Sequence, residues 1–193
     1  KKKNIKCFAS IFADTELKDY LSVTNQIIKI PSHEAYNLDL IKKCIKKFKL
    51  VLISCGCLKL KELKKLTKLA KFQNVILMHC VSSYPLESKN CNFKKFDFIK
   101  KFSNKVGYSG HYKGVNDALY AIEKKAIIIE KHFTIDNNLP GRDNKFALLP
   151  KDFVFLSSYL KNKNDFQIDK GLDLQKCERD IYKNYRGRWQ KSN

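Results

Sequence analysis

No apolar run in this chain approaches the about 18 residues needed to cross a bilayer, and the lysine-rich start is not followed by the apolar core of a signal peptide. No membrane partner and no secretory route are therefore expected, and a soluble cytoplasmic protein is. Arginine is scarce, occurring only at Arg142, Arg179, Arg186 and Arg188, so the formal charge of +20 is almost all lysine. The lysines are spread along the polar faces of nearly every expected helix. A nucleic-acid reader would concentrate arginine and interleave exposed aromatics on one element, so nucleic acid is not expected as a partner. An attraction to anionic substrates, phosphorylated ones included, remains. No Gly-x-Gly-x-x-Gly and no Walker loop occurs, which removes support for a nucleotide or dinucleotide fold. Cys-x-x-Cys is absent too. The seven cysteines are odd in number and several fall inside apolar runs, as small hydrophobes do in a reducing compartment. Cys55-Gly-Cys57 has no second pair and makes only a weak metal clip.

What is present is an alternation. With 193 residues and 44% apolar composition, the chain can bury one core, and a single main domain is the default. Short strand-like runs recur at Ile5 to Ala9, Gln26 to Ile30, Leu50 to Ile53, Val75 to His79, Lys105 to Tyr108 and Ala126 to Ile129, each followed by a helical pattern. About six strand-then-helix units argue for an α/β fold, a parallel sheet with right-handed crossovers. Asn37 can cap a helix whose apolar stripe is Leu38, Ile41, Ile45 and Phe48. Further stripes are Leu63, Leu66, Leu69 and Ala70, then Val115, Ala118, Leu119 and Ile122, then Phe153, Leu156, Tyr159 and Leu160. All are expected to be core.

The segments Lys105 to Tyr108 and Ala126 to Ile129 each lead into a histidine amid polar residues. His111 and His132 would then emerge at the same carboxyl edge of one sheet, where α/β proteins build their sites. Two neutral imidazoles there could hold a divalent cation, with Asp143 and water in the remaining positions; equally, they could be two satisfied histidines near a sheet edge. Spacing leaves both open, because no His-x-x-His or Glu-x-x-His pattern fixes the geometry. Polar residues follow strand after strand: Ser10; Lys29, Ser32 and Glu34; Ser54; Ser82, Ser83 and Tyr84; Ser109 and His111; His132 and Asp143. In a barrel these face one mouth, and hydroxyls, amides and one lysine suit a phosphate or carboxylate.

The segments KIPSHEAYN (from Lys29), LISCG (from Leu52), LMHCVSSYP (from Leu77), VGYSGH (from Val106), IEKHFT (from Ile129) and LPGRDNKFALLP (from Leu139) resemble the sialic acid synthases, a family that includes N-acetylneuraminate, legionaminate and pseudaminate synthases. The resemblance is collinear over nearly the whole chain. It implies a (β/α)8 TIM barrel, here incomplete, with about six of the eight units. It also implies a transferase of sialic acid biosynthesis, which condenses phosphoenolpyruvate with an N-acylated hexosamine such as N-acetylmannosamine, or its 6-phosphate. By the same resemblance His111 and His132 bind a divalent metal, commonly Mn²⁺, with Mg²⁺ or Co²⁺ as alternatives. Lys29, Ser32, Ser54, Ser82 and Ser109, with Ser10 as a further member, hold phosphoenolpyruvate. Glu34, Tyr84 and Asp143 contact the sugar or its metal-bound oxygen.

The chain departs from the family pattern in places. Gly110 stands where many members have aspartate, Cys55 and Cys57 replace threonine and methionine, and Asn144 stands for histidine. The family's first two strands and its C-terminal antifreeze-like domain have no counterpart here. Residues 1–165 are thus expected to form a partial barrel and 166–193 an extension, ending past Arg188 and Trp189. Alone, such a chain is expected to be inactive or weakly active, the full-length form being a homodimer. The alternative is a non-catalytic remnant, or a barrel subunit that needs a partner chain.

Overall fold

The stripes find a sheet to lie on. A computed structural model describes residues 5–165 and 171–184. In it α1 (Asp14–Val23) precedes β1 (Ile27–Ile30), and then strands and helices alternate: α2 (Leu38–Lys47), β2 (Leu50–Ser54), α3 (Leu60–Thr67), β3 (Val75–Cys80), α4 (Lys94–Lys100), β4 (Val106–Gly110), α5 (Asn116–Glu123) and β5 (Ile129–Lys131). After these come α6 (Pro150–Asp165) and α7 (Arg179–Asn184). The strands are all parallel, in the order β1-β2-β3-β4-β5, and form a half-barrel. Contacts divide the chain into two units, one reaching to Leu156 and the other starting at Ser157. Arg186, Arg188 and Trp189, on which the reading of the C-terminus rests, lie outside the described residues.

Side chains alternate between the faces of a strand, so the register sorts the residues. Ile28, Ile30, Val51, Ile53, Val75, Leu77 and Val106 face outward and join Leu40, Ile41 and Cys44 of α2, Leu63 and Leu66 of α3, and Phe96 and Ile99 of α4 in the main core. Leu52, Ile76 and Met78 face inward and make a second, smaller cluster with Ile27, Leu50 and Ile128 at its margin. Both faces being apolar, the strands read as continuous hydrophobic runs, as parallel strands do.

The structure corrects three expectations. Ile5 to Ala9 is not a strand: the segment meets β1 in a single bridge, Ser10 opposite Lys29, closed by Lys29 N–H to the Ala9 carbonyl and Ile11 N–H to the Lys29 carbonyl, each 3.1 Å. That register sets Phe8 opposite Ile27, where β1 begins, so Ile5 to Cys7 run past the end of the strand with nothing to pair with. The last strand lies at Ile129–Lys131 rather than Ala126 to Ile129, because Lys125, at φ 66°, turns the chain out of α5 and Ala126 N–H is still bonded to the Ala121 carbonyl. In α6 only Leu156 of the expected stripe is buried. Phe153 is 37% exposed. No helix among the described residues is long and apolar enough to cross a membrane.

Candidate functional site

β4 ends at Gly110 and β5 at Lys131, so His111 and His132 directly follow neighbouring parallel strands. Their ring centroids are 5.4 Å apart. His111 is buried, and its Nδ1 lies 2.9 Å from the Val81 carbonyl. A carbonyl only accepts, so Nδ1 carries the proton and Nε2 is left with its lone pair. Burial pulls the His111 pKa below the ordinary histidine value, against the Val81 carbonyl and with help from His132, which keeps the ring neutral. The Tyr84 ring lies 4.1 Å from that of His111 and 6.1 Å from that of His132; burial raises its hydroxyl's pKa, so it stays a donor.

The inner face carries the residues expected to bind the anion. Lys29 is buried and its Nζ sits 3.2 Å from Glu130 Oε1, which also accepts a 3.0 Å bond from Ser109 Oγ. Register explains the meeting: Cys80, Ser109 and Glu130 are cross-strand partners in one row, and Lys29 points in from the far side. Ser32, in the turn after β1, donates to Cys80 Sγ at 3.3 Å and accepts from Gly56 N–H at 3.1 Å. A Cβ on Gly56 would run into the hydroxyls of Ser32 and Ser82, so this glycine lets two serines close over a loop backbone. Ser54 Oγ and Ser82 Oγ are buried without a hydrogen-bond partner. The Cys80 thiol and Tyr84 hydroxyl lie near Ser82, neither in bonding geometry. Two buried hydroxyls left unpaired ask for a ligand or ordered water.

Of the expected site residues, Lys29, Ser32, Ser54, Ser82 and Ser109 gather at this inner edge, with Tyr84 over the histidines. Ser10 is exposed; it shares the face of Lys29 but takes no part in the hydrogen-bond cluster. Glu34 is half-buried in the turn that carries Ser32. Asp143 is 3.7 Å from His132 Nδ1, too long for a hydrogen bond. Glu130 and Gly56 bond to this cluster and Asp117 and Lys131 pair beside the strand ends, and none of the four stands out in the sequence. For Glu130, Lys131 and Gly56 the signal is adjacency, a Glu-Lys-His at a strand end and a glycine shortly after Ser54, which becomes chemistry only once the strands are in register; Asp117 has none.

The residues present suit a divalent ion in part. His111 offers a free Nε2 with its Nδ1 pinned, the arrangement by which a second partner orients a metal-binding imidazole. Among the described residues no three of His, Cys, Asp and Glu are gathered as a metal cage, so the pair would be an open site needing oxygen from water or substrate. Cys55 is no clip: it is buried with its thiol pushed up to about 12, whereas Cys57 is exposed.

A parallel half-barrel with polar groups converging at the carboxyl ends of its strands defines a protein of the TIM-barrel class. Solved structures agree. The N-acetylneuraminic acid (sialic acid) synthetase of Leptospira borgpetersenii, in complex with citrate, superposes with a TM-score of 0.77 at 28% identity, over 96% of this chain and 66% of that one. The fold alone is shared with the DAHP synthase of Thermotoga maritima, TM-score 0.66 at 16% identity, over 82% of this chain and 51% of that one. The chain belongs to the NeuB family, whose profile matches residues 1–170. It is 35% identical to the N,N'-diacetyllegionaminic acid synthase of Campylobacter jejuni over 95% of its own length and 56% of that protein's. It is 32% identical to the N-acetylneuraminate-9-phosphate synthase of Drosophila melanogaster over 84% of its length and 45% of that protein's. The chain thus spans about half the length of these curated relatives.

Proposed function

We propose that this chain carries the substrate-binding edge of a synthase that condenses phosphoenolpyruvate with an N-acylated hexosamine to a nonulosonic acid and phosphate. The observation that carries the reading is the pair of unpartnered buried hydroxyls, Ser54 and Ser82, on the inner face that holds buried Lys29 and beside two imidazoles. Lys29 supplies the charge, and the unpartnered hydroxyls of Ser54 and Ser82 supply donors for the phosphate and carboxylate of phosphoenolpyruvate, with Ser32 and Ser109 joining them when their protons turn from Cys80 and Glu130 to the ligand. Glu130 Oε1 brings Lys29 and Ser109 together on the inner face before the ligand arrives, and the ligand's anionic oxygens take over the donors that Glu130 holds. Held this way, C3 of phosphoenolpyruvate forms its bond to the aldehyde carbon of the sugar. Water then adds at C2, and the C2–O bond to phosphate breaks. The Tyr84 hydroxyl, Glu34 and Asp143 border the acceptor side and meet the sugar's hydroxyl and amide groups. His111 and His132 would hold the divalent ion, Mn²⁺ or in its place Mg²⁺ or Co²⁺, and when bound it supplies Lewis acidity to the sugar carbonyl.

The test is phosphate release from phosphoenolpyruvate with N-acetylmannosamine, with and without Mn²⁺, beside Lys29→Met and His111→Ala, with calorimetric binding of phosphoenolpyruvate in parallel. Phosphoenolpyruvate is expected to bind, and Lys29→Met to weaken it at least tenfold, about the loss of one charge-assisted bond. Binding unaffected by Lys29→Met, or release that ignores His111→Ala, would sink the assignment.

A further inference from the structure

Behind the strand ends, on the sheet's outer face, lies a buried charged cluster that the proposed chemistry does not use. Asp117 of α5 and Lys131 of β5 have side chains 1% and 2% exposed. Lys131 Nζ lies 2.9 Å from each Asp117 carboxylate oxygen and 2.7 Å from the Tyr112 carbonyl, and the Tyr108 hydroxyl donates to Asp117 Oδ2 at 2.9 Å. All three ammonium protons are therefore used. Gly110 makes the room: a Cβ there would meet Asp117 Oδ2 and the Tyr108 ring.

A buried ion pair is a poor source of stability, because desolvation offsets the attraction, but separating its partners in the core is costly, so the two stay together. The geometry fixed here is specific. Tyr112 follows His111 and Lys131 precedes His132, so the ammonium ties together the two backbone segments from which the histidines project. β5 is only three residues long and pairs in the sheet with β4 alone. Past its end the chain bridges Leu148, whose N–H donates to the His132 carbonyl at 2.8 Å, but that contact lies on the side away from β4, so the ammonium is the side-chain link between the two exits.

We propose that Asp117 is a positioning residue: through Lys131 it clamps the exit of β4 to the exit of β5 and so sets the spacing of His111 and His132 for a shared divalent cation. The cation rests on the reading under Proposed function; the spacing of the rings does not. Removing one charge would strand the other in the core, so the deciding variant is the double substitution Asp117→Asn/Lys131→Met, which removes both. Two quantities are read from it: binding of Mn²⁺ alone by calorimetry, and the nuclear Overhauser effect between the His111 and His132 rings.

The double variant is expected to melt near the parent, to bind Mn²⁺ about tenfold more weakly or worse, and to lose the ring-to-ring effect. Gly110→Ala, which pushes on Asp117 Oδ2, is expected to move both quantities the same way. Lys131→Arg keeps a cation for Asp117 and a donor for the Tyr112 carbonyl, and is expected to retain them. Unchanged Mn²⁺ affinity and an unchanged ring-to-ring effect in the double variant overturn the proposal. If the parent binds no Mn²⁺, the metal reading falls and the ring-to-ring effect alone decides the clamp. If the double variant does not fold, the contrast between Gly110→Ala and Lys131→Arg decides it.

Discussion

His79 shows what one ring costs when a sheet buries it. It points outward from β3, fully buried, with ring contacts to Phe93 at 5.3 Å and Tyr108 at 5.7 Å. Its Nε2 lies 2.8 Å from the Cys91 carbonyl and so carries the proton, which leaves Nδ1 buried without a partner. Burial pulls the pKa down from 6.5 to about 4, the Cys91 carbonyl opposing. Below pH 6.5 the unfolded chain takes up a proton that the folded chain refuses, so stability is intact above 6.5 and falls progressively toward pH 4. The loss over that window is about 3 kcal/mol. Denaturant midpoints from pH 7.5 to 4 are expected to fall more steeply for the parent than for His79→Gln. Parallel curves would mean that His79 titrates normally. Nothing in the sequence flagged this histidine, because His79 and His111 both come at or just past the end of a strand, and only the pleat sends one into the aromatic core and the other to the inner edge.

At the scale of elements, α2 is the clearest case of local sequence setting local structure. Asn37 Oδ1 accepts from Leu40 N–H at 3.1 Å, capping a helix with Asp39 in its first turn and Lys46 and Lys47 in its last. Asn37→Ala is expected to cost about 1 kcal/mol in chemical denaturation, with little change in the slope, and Asn37→Asp to cost far less. The stripe itself was legible but off-centre: Ile41 and Phe48 are buried as expected, Leu40 and Cys44 are buried as deeply as Ile41, and Leu38 and Ile45 lie at the margin. Leu38 and Leu40 are equally apolar, so the pattern cannot say which of them faces the sheet, and Cys44 is a small hydrophobe that a stripe of large residues passes over. The five strands were legible for the same reason that their faces were not. Runs such as VILMHC are apolar on both sides, so the sequence cannot say that Cys80 shares a row with Ser109 and Glu130 until the register does. Asp117 is harder still: it is one charge in an ordinary helix, and its meaning depends on α5 packing behind Gly110.

Over the whole molecule, charge acts in two opposite senses. The chain carries +20 from 39 lysines and arginines against 19 acids, and ion pairs such as Lys43–Asp14 and Lys42–Asp39 are solvent-exposed on both sides and contribute little. Compaction brings this excess together, so the folded state repels itself, whereas the same field draws anions toward the sheet edge that holds Lys29. Salt screens both, since the Debye length falls from about 30 Å at 0.01 M to about 8 Å at 0.15 M. The buried Lys131–Asp117 pair, 1–2% exposed, is largely shielded from that change. Raising NaCl from 10 to 150 mM, at the roughly 0.01 and 0.15 M of those Debye lengths, is therefore expected to raise the melting temperature while weakening phosphoenolpyruvate binding. The measurement is a thermal melt and a calorimetric titration in the same two buffers. A melting temperature that falls with salt would mean that exposed pairs, not the net excess, dominate the surface. Binding that is indifferent to salt would place the anion's recognition wholly in the buried donors, Ser54 and Ser82 among them, and not in the field of the chain.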